Sequence, residues 1–241
     1  MYLTFVLCSL FGLDPYMAVP FVAILMFCIG AVIQSSLITP SLGTKSFTNL
    51  LFLTVGLGTL LSNLALVIFG SSFRTITTSY SSNTVQLGPV TMALPKLISF
   101  VITIIITILL FAFLKYTTLG KQIRAVSQNP IGAEVVGINV KRIYILAYGL
   151  GAALAGTAGA LLTLFYVLSP TAGSVFSFRA LIVVVVGGLG SIPGALLAGI
   201  LLGLLETMVS LLVSPMYKDL IVFVTFIVIL VVRQNVIARR K

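Results

Sequence analysis

Long apolar blocks separated by short polar segments dominate the chain. A helix needs about 20 residues to cross a hydrocarbon core, and most of the blocks approach or exceed that length. The blocks lack the period-two alternation of a transmembrane barrel. The pattern therefore predicts an all-α, polytopic transmembrane helical bundle of about seven to eight spans. The predicted spans are residues 1–13, 16–38, 47–70, 96–114, 142–168, 174–186, 195–213 and 219–232.

Composition supports a membrane protein. Hydrophobic residues make up 59% of the 241 positions and charged residues 7%, with a mean hydropathy of +1.24. Soluble domains carry about 25% charged residues. No basic segment precedes the apolar start, which argues against a cleaved signal peptide. Cys8 and Cys28 lie in apolar spans, where cysteine acts as a small hydrophobic residue.

The net charge of +10 reports topology, because the basic residues cluster in the short loops between spans. In a soluble protein this charge would suggest nucleic acid; here we expect no nucleic-acid partner. With residues 120–139 in the cytoplasm, alternating crossings place ten basic residues inside and four outside or near that edge, as the positive-inside rule requires. The inside set is Lys45, Lys115, Lys121, Arg124, Lys141, Arg142, Arg233, Arg239, Arg240 and Lys241, against Arg74, Lys96, Arg179 and Lys218. Residues 71–95 are then external and the C-terminus is cytoplasmic.

The segment 174–186 is short for a span, and a re-entrant segment is the alternative. A re-entrant segment would place the basic tail outside, against the charge rule. We therefore predict a tilted crossing.

The polar loop "GKQIRAVSQNPIGAEVVGIN", residues 120–139, interrupts two strongly apolar spans. Lys121, Arg124 and Gln128 recur at helical spacing on one face, with Ile123 and Val126 on the other, which predicts a short amphipathic helix. Asn129 and Pro130 then indicate a cap and the first position of a second helix, which ends near Gly137. Two readings are open: a docking platform for a partner protein, or a basic loop lying on anionic lipid.

The run "LGKQIRAVSQNPIGAEVVGINVKR" resembles the cytoplasmic coupling loop of permease subunits in the branched-chain amino acid ABC importer family. The resemblance continues through "GGLGSIPGALLAGILLGLLE" to "YKDLIVF" and covers nearly the whole chain from Tyr2. Family members begin with further apolar sequence, so we expect the N-terminal start of the family's fold to be absent here. The tail "RQNVIA" differs from the family's Arg-Pro-x-Gly. The matching loop positions are Gly120, Arg124, Ala125, Asn129, Ala133, Gly137, Ile138 and Asn139.

The resemblance implies one transmembrane permease domain over residues 1–241, with the coupling loop at residues 115–141. It implies a multi-pass protein of the bacterial inner membrane that forms half of a path for branched-chain amino acids. The partners that it implies, besides membrane lipid, are a second permease subunit, two ATP-binding subunits and an extracytoplasmic substrate-binding protein. An ATPase would dock on the two short helices.

The sequence offers no chemistry of its own. There is no phosphate-binding GxxxxGK[ST] motif, so another subunit must handle ATP. Histidine is absent, and the four acidic residues, Asp14, Glu134, Glu206 and Asp219, are far apart along the chain. We therefore expect no enzymatic activity, metal site or cofactor.

Glu206 is the only acidic residue deep in an apolar span, where a carboxylate costs about 2.5–3.5 kcal/mol, so it should avoid lipid. It shares a helical face with Gly199 and Gly203, small residues that favour helix contact. A second ladder, formed by Ala152, Gly156 and Ala160, offers a partner surface. A pathway role and a structural hydrogen-bonding role are both open for Glu206.

The run "GGLGSIPG", with Gly187, Gly188 and Gly190, divides one apolar stretch into two helices. It is either a plain cytoplasmic turn, which we favour, or a break lining the transport route. Three rivals to a branched-chain amino acid importer remain at this stage: a stand-alone channel or secondary transporter, an intramembrane enzyme, and a family member that imports urea, short amides or another amino acid.

Overall fold

The computed structural model describes residues 1–42, 47–76, 78, 83–87, 90–212, 220, 222–227, 229 and 231. These residues belong to two compact units, Met1–Thr171 and Ala172–Lys241. Residues 219, 221, 228, 230 and 232 of the predicted span 219–232 lie outside the described residues, as do Lys45, Lys218 and the basic tail. The assignment of residues 1–241 to one permease domain stays a prediction.

The first unit is a chain of helices with one small hairpin. Its helices are α1 (Tyr2–Phe11), α2 (Pro15–Ile33), α3 (Thr39–Leu42), α4 (Phe47–Phe69), α5 (Leu94–Tyr116), α6 (Thr118–Gln128), α7 (Pro130–Val135) and α8 (Val140–Leu162). A π-helical turn, Gln34–Ile38, joins α2 to α3. Strands β1 (Thr84–Leu87) and β2 (Val90–Ala93) pair antiparallel, with Thr84 opposite Ala93. This hairpin lies inside the segment 71–95 that we predicted as a loop.

The second unit contains α9 (Ala172–Gly187) and α10 (Ile192–Leu212) among its described residues. Within the described part of the chain, five helices are long and apolar enough to cross a membrane. They are Pro15–Ser41, Thr48–Phe69, Leu94–Tyr116, Val140–Leu162 and Ile192–Leu212. The all-α polytopic architecture is therefore confirmed. Helix α9 has 16 residues, so its tilted crossing stays a prediction.

The span predicted over residues 142–168 was too long at its C-terminal end. Helix α8 stops at Leu162, where the Tyr166 amide donates to the Leu162 carbonyl at 2.8 Å. The buried Leu168 then forms an isolated antiparallel bridge with Arg74, with N–O distances of 2.8 and 3.3 Å. In the segment 163–168, Thr163 and Leu168 are buried while Phe165, Tyr166 and Val167 are exposed. Hydropathy alone does not distinguish such an apolar loop from the end of a membrane span.

Helices α2 and α8 form the main helix contact of the first unit. A Cβ atom added at Gly30 would lie 2.5 Å from the Ala152 Cβ, and one added at Gly156 would lie 2.6 Å from the Met26 Cγ. Small residues therefore set the approach of the two backbones. The predicted ladder of Ala152, Gly156 and Ala160 thus has α2 as its neighbour. One turn further on, Ala160 and Leu161 pack against Val19 and Val22.

Candidate functional site

The predicted coupling loop begins with a tight crossing between α5 and α6. The Thr117 side chain caps α6, because its Oγ1 accepts from the Gly120 amide at 3.0 Å and donates to the Phe113 carbonyl at 2.6 Å. A Cβ atom added at Gly120 would lie 2.5 Å from both the Cα and the carbonyl oxygen of Leu114. Only glycine permits this approach, so Gly120 fixes the angle at which α6 leaves the membrane helix.

Helix α6 is amphipathic, as the spacing predicts. Lys121, Arg124 and Gln128 are exposed, Ile123 is half-buried and Val126 is buried. The two cations therefore face away from the rest of the first unit. The apolar face of the helix anchors them there.

The break between α6 and α7 also follows the sequence prediction. The Asn129 Oδ1 accepts from the Gly132 amide at 2.9 Å, and Pro130 occupies the first position of α7. Gly137 adopts a left-handed φ of 86°, and the Ile138 amide donates to the Ala133 carbonyl at 3.0 Å. A cap, a proline and a terminal glycine therefore define a two-helix unit, residues 118–137, which we call the platform.

The platform has its own small core. Val126 of α6, Ala133 of α7 and Ile143 of α8 are buried together, and half-buried apolar residues surround them. Ala133 is 4% exposed, which explains a small residue at this position. The platform is therefore packed on the first turn of α8. A displacement of the platform would thus displace α8 as well.

The outer face of the platform carries apolar residues that the sequence analysis missed. Ile131, Val135 and Val136 are 75%, 83% and 73% exposed, and α6 of the same platform carries exposed cations. Exposed apolar residues on a surface that also carries charge are typical of a surface that meets another macromolecule. In the sequence, this exposed surface was indicated by the apolar pair "VV" that follows Glu134. A helix as short as α7 cannot bury that pair on the same side as Ala133.

A cleft of about 570 Å³ lies beside the platform. Ile131 and Glu134 of the platform line one wall. Lys141 and Tyr144 at the start of α8 and Thr39 with Pro40 at the start of α3 complete the lining. The cleft offers apolar contact and both signs of charge. The exposed surface of the platform therefore continues through the cleft to the first residues of α3 and α8.

In the second unit, Glu206 is buried within the α9–α10 pair. Its Oε1 lies 3.6 Å from the Arg179 Nε, and the two side chains are 12% and 23% exposed. The sequence analysis grouped Arg179 with the basic residues outside or near the external membrane edge and missed this contact. Arg179 lies in the middle of α9, and its position relative to the membrane stays a prediction. A cation facing the carboxylate lowers the cost of burying it.

The small face around Glu206 is only partly occupied. A Cβ atom at Gly199 would be 3.8 Å from the Val183 Cγ1, whereas one at Gly203 would meet nothing within 4 Å among the described residues. The roles predicted for Gly199 and Gly203 in packing or in a pathway therefore stay predictions. At Gly203 the described part of the chain leaves an exposed backbone surface.

The segment "GGLGSIPG" forms a turn between α9 and α10. Gly188 and Gly190 have φ values of 93° and 86°, and the Ser191 Oγ accepts from the Gly194 amide at 3.1 Å. A Cβ atom at Gly187 would lie 2.5 Å from the Gly194 carbonyl oxygen, so the two glycines let the backbones touch. The plain-turn geometry matches the favoured prediction, while a role for these glycines in a transport route stays a prediction.

Apolar helices of membrane-spanning length and a basic platform between two of them define a polytopic membrane protein. Residues 1–230 match the family model described as "Branched-chain amino acid transport system / permease component". The chain therefore belongs to this family of integral membrane transport components.

Curated relatives include "High-affinity branched-chain amino acid transport system permease protein LivH" of Escherichia coli (strain K12), 37% identical over 133 residues, or 55% of this chain and 43% of that protein. "High-affinity branched-chain amino acid transport system permease protein BraD" of Pseudomonas aeruginosa is 31% identical, with 77% of this chain and 62% of that protein covered. "Probable branched-chain amino acid transport permease protein LivH" of Methanocaldococcus jannaschii is 28% identical, with 87% and 67% covered. The chain thus spans about half the length of the first of these relatives. No solved structure gives a significant match.

Proposed function

We propose that the chain is a membrane-spanning permease subunit of an ABC importer for branched-chain amino acids. The observation that carries the proposal is the family match over residues 1–230, together with relatives named as permeases of branched-chain amino acid transport. The subunit would form half of a transmembrane path and perform no chemistry itself. The stand-alone channel, the secondary transporter and the urea or amide importer are less well supported, because these relatives carry none of those names.

The platform is the proposed docking site for an ATP-binding subunit. Its exposed apolar cluster, Ile131, Val135 and Val136, supplies contact area, and Lys121 with Arg124 supplies charge that steers the partner. Because the platform packs on Ile143 of α8, a partner that moves the platform would move α8 as well. This arrangement supports transmission of ATP-driven closure into the membrane helices.

The remaining partners are a second permease subunit and an extracytoplasmic substrate-binding protein. We place the platform and the C-terminus in the cytoplasm of a bacterial cell and residues 71–95 outside, since ten of the fourteen basic residues then lie inside. Single-cysteine labelling of position 128 in a background lacking Cys8 and Cys28 tests the orientation. Labelling from outside intact cells would contradict it.

Reversal of charge at Arg124 tests the docking role. Arg124→Glu changes the exposed face of α6 and leaves the buried Val126 untouched, so the platform should still fold. A like-charge contact at an interface costs several kcal/mol, so retention of the ATPase should fall by about tenfold or more. The measurement is the amount of ATPase that co-purifies, together with substrate-stimulated ATP hydrolysis.

Two further variants sharpen the test. Arg239→Glu makes the same charge change in the basic tail, outside the platform, and should leave docking intact. Ile131→Asp adds a charge to the apolar cluster and should weaken docking as Arg124→Glu does. Equal ATPase retention in all three variants would contradict the docking role and favour the alternative that the loop lies on anionic lipid.

A further inference from the structure

An open surface cavity of about 450 Å³ lies where α1 ends and α2 begins. Its volume falls within the range of about 300–1,000 Å³ that small-molecule sites occupy. The walls come from the last turns of α1, the α1–α2 junction and the segment after α4. Because the cleft beside the platform includes the α3 residues that follow α2, this cavity lies at the opposite end of α2 from the platform.

The polar side of the cavity carries a carboxylate. Asp14 lines it, and the Asp14 Oδ1 accepts from the Tyr16 amide at 3.0 Å as the cap of α2. A carboxylate accepts about four hydrogen bonds, so the cap is compatible with an ammonium ligand on the same group. The hydroxyls of Ser9, Thr75 and Thr78 share this lining.

A cation lies at the edge of the same cavity. The Arg74 guanidinium carbon is 5.0 Å from the centre of the Phe5 ring, which lines the cavity, and the next residue, Thr75, is a lining residue. The Arg74 Nη2 donates to the Phe69 carbonyl at 3.0 Å, which helps to hold the side chain in place. A zwitterion presents an ammonium and a carboxylate, and the complementary charges are Asp14 on the cavity wall and Arg74 at the cavity edge.

Apolar side chains complete the wall. Phe5, Leu13 and Ile76 line the cavity together with the polar groups. An aliphatic side chain of a small amino acid would bury its surface there, at about 25 cal/mol per Å². The combination is selective, because a sugar or an inorganic ion would leave the apolar wall unused.

We propose that this cavity is a recognition site for an α-amino acid with an aliphatic side chain, on the face from which substrate arrives. Asp14 takes the ammonium, Arg74 the carboxylate, and Phe5, Leu13 and Ile76 the side chain. The assignment rests on the proposed function for its choice of ligand and for its external position. It adds the residues of this chain that meet the substrate.

Cys8 provides a readout that does not depend on transport. It lines the cavity, whereas the other cysteine, Cys28, is an exposed residue of α2 outside the lining. In a Cys28→Ser background, the rate at which a small methanethiosulfonate reagent modifies Cys8 reports occupancy. In membranes containing the whole complex, L-leucine should slow the modification in a saturable way. Isoamylamine, which keeps the ammonium, should protect more weakly, and isocaproate, which lacks it, should protect least.

Asp14→Asn is the decisive variant. Asparagine caps a helix as well as aspartate does, so α2 keeps its start while the negative charge is lost. The leucine concentration for half-protection of Cys8, and the KM for leucine uptake, should both rise by about tenfold or more. Glu134→Gln removes the same charge from the platform and should leave the protection of Cys8 unchanged.

The outcomes separate the cavity from the proposed function. If the complex imports leucine but leucine does not protect Cys8, or protects Asp14→Asn as well as the parent, the cavity assignment is wrong and the importer stands. If the complex imports no branched-chain amino acid while leucine protects Cys8 in an Asp14-dependent way, the assignment stands and the proposed function is wrong.

Discussion

Addition of one methyl group at Gly120 gives the sharpest test of the platform geometry. A Cβ atom there would lie 2.5–2.6 Å from three backbone atoms, the Leu114 Cα and carbonyl oxygen and the Phe113 carbonyl oxygen. Backbone atoms cannot change rotamer to relieve the clash as a side chain can, so α6 must move away from α5. Overpacking costs up to about 3 kcal/mol, while alanine gains up to about 1 kcal/mol in helix propensity. The net expectation for Gly120→Ala is a loss of about 2 kcal/mol.

Gly151→Ala is the matched control. Gly151 lies in α8 and is exposed, and a Cβ atom there meets nothing within 4 Å among the described residues. Only the propensity gain of about 1 kcal/mol should remain. At about 2–4 °C per kcal/mol for a chain of this size, Gly120→Ala should lower the Tm by about 4–8 °C and Gly151→Ala raise it slightly. Thermal melting of the detergent-solubilised protein measures both. Equal Tm shifts for the two variants would refute the close crossing of α5 and α6.

Three further predictions concern the α9–α10 unit. Gly187→Ala should reduce the yield of folded protein, measured by size-exclusion chromatography, because the added Cβ would lie 2.5 Å from the Gly194 carbonyl oxygen. Glu206→Gln removes the charge 3.6 Å from the Arg179 Nε and should cost about 3 kcal/mol, whereas adding Arg179→Gln should recover part of that loss in a double-mutant cycle. Gly203→Leu should leave the membrane level unchanged and reduce co-purification with a second permease; unchanged pairing would show that this face lies away from that interface.

The platform was predictable from the sequence because its signals are local. Asn129 as a cap, Pro130 at the first helical position and Gly137 at a left-handed φ each act within one helical turn. Their residue types alone therefore place two helices and the break between them. The same holds for the turn at Gly188 and Gly190.

What the sequence did not predict depends on contacts between distant residues. The end of α8 at Leu162 is coupled to the bridge between Leu168 and Arg74, which are far apart along the chain. The apolar pattern runs past the helix end without a change of composition. The contact of Arg179 with Glu206 was not predictable either, because the sequence around a lone cation in an apolar segment does not indicate which carboxylate it contacts.

Helix partners were equally hidden, because every membrane span offers apolar surface and several offer small residues. The ladder at Ala152 and Gly156 is visible in the sequence, but only the structure shows that Gly30 and Met26 of α2 lie against it. Close packing through small residues is a property of the pair of helices. Neither helix specifies it alone.

The α2–α8 pair links the two surfaces to which we assign function. The platform packs on Ile143 at the start of α8, and α8 runs along α2 through Gly149 and Gly156 towards Val22. Helix α2 begins at Asp14 on the wall of the proposed recognition cavity. Helix α8, with 23 residues, is about 35 Å long, comparable to the membrane core. Glycines allow the two backbones to pack closely, so a tilt of α8 driven from the platform would displace α2 and, with it, the cavity at the start of α2.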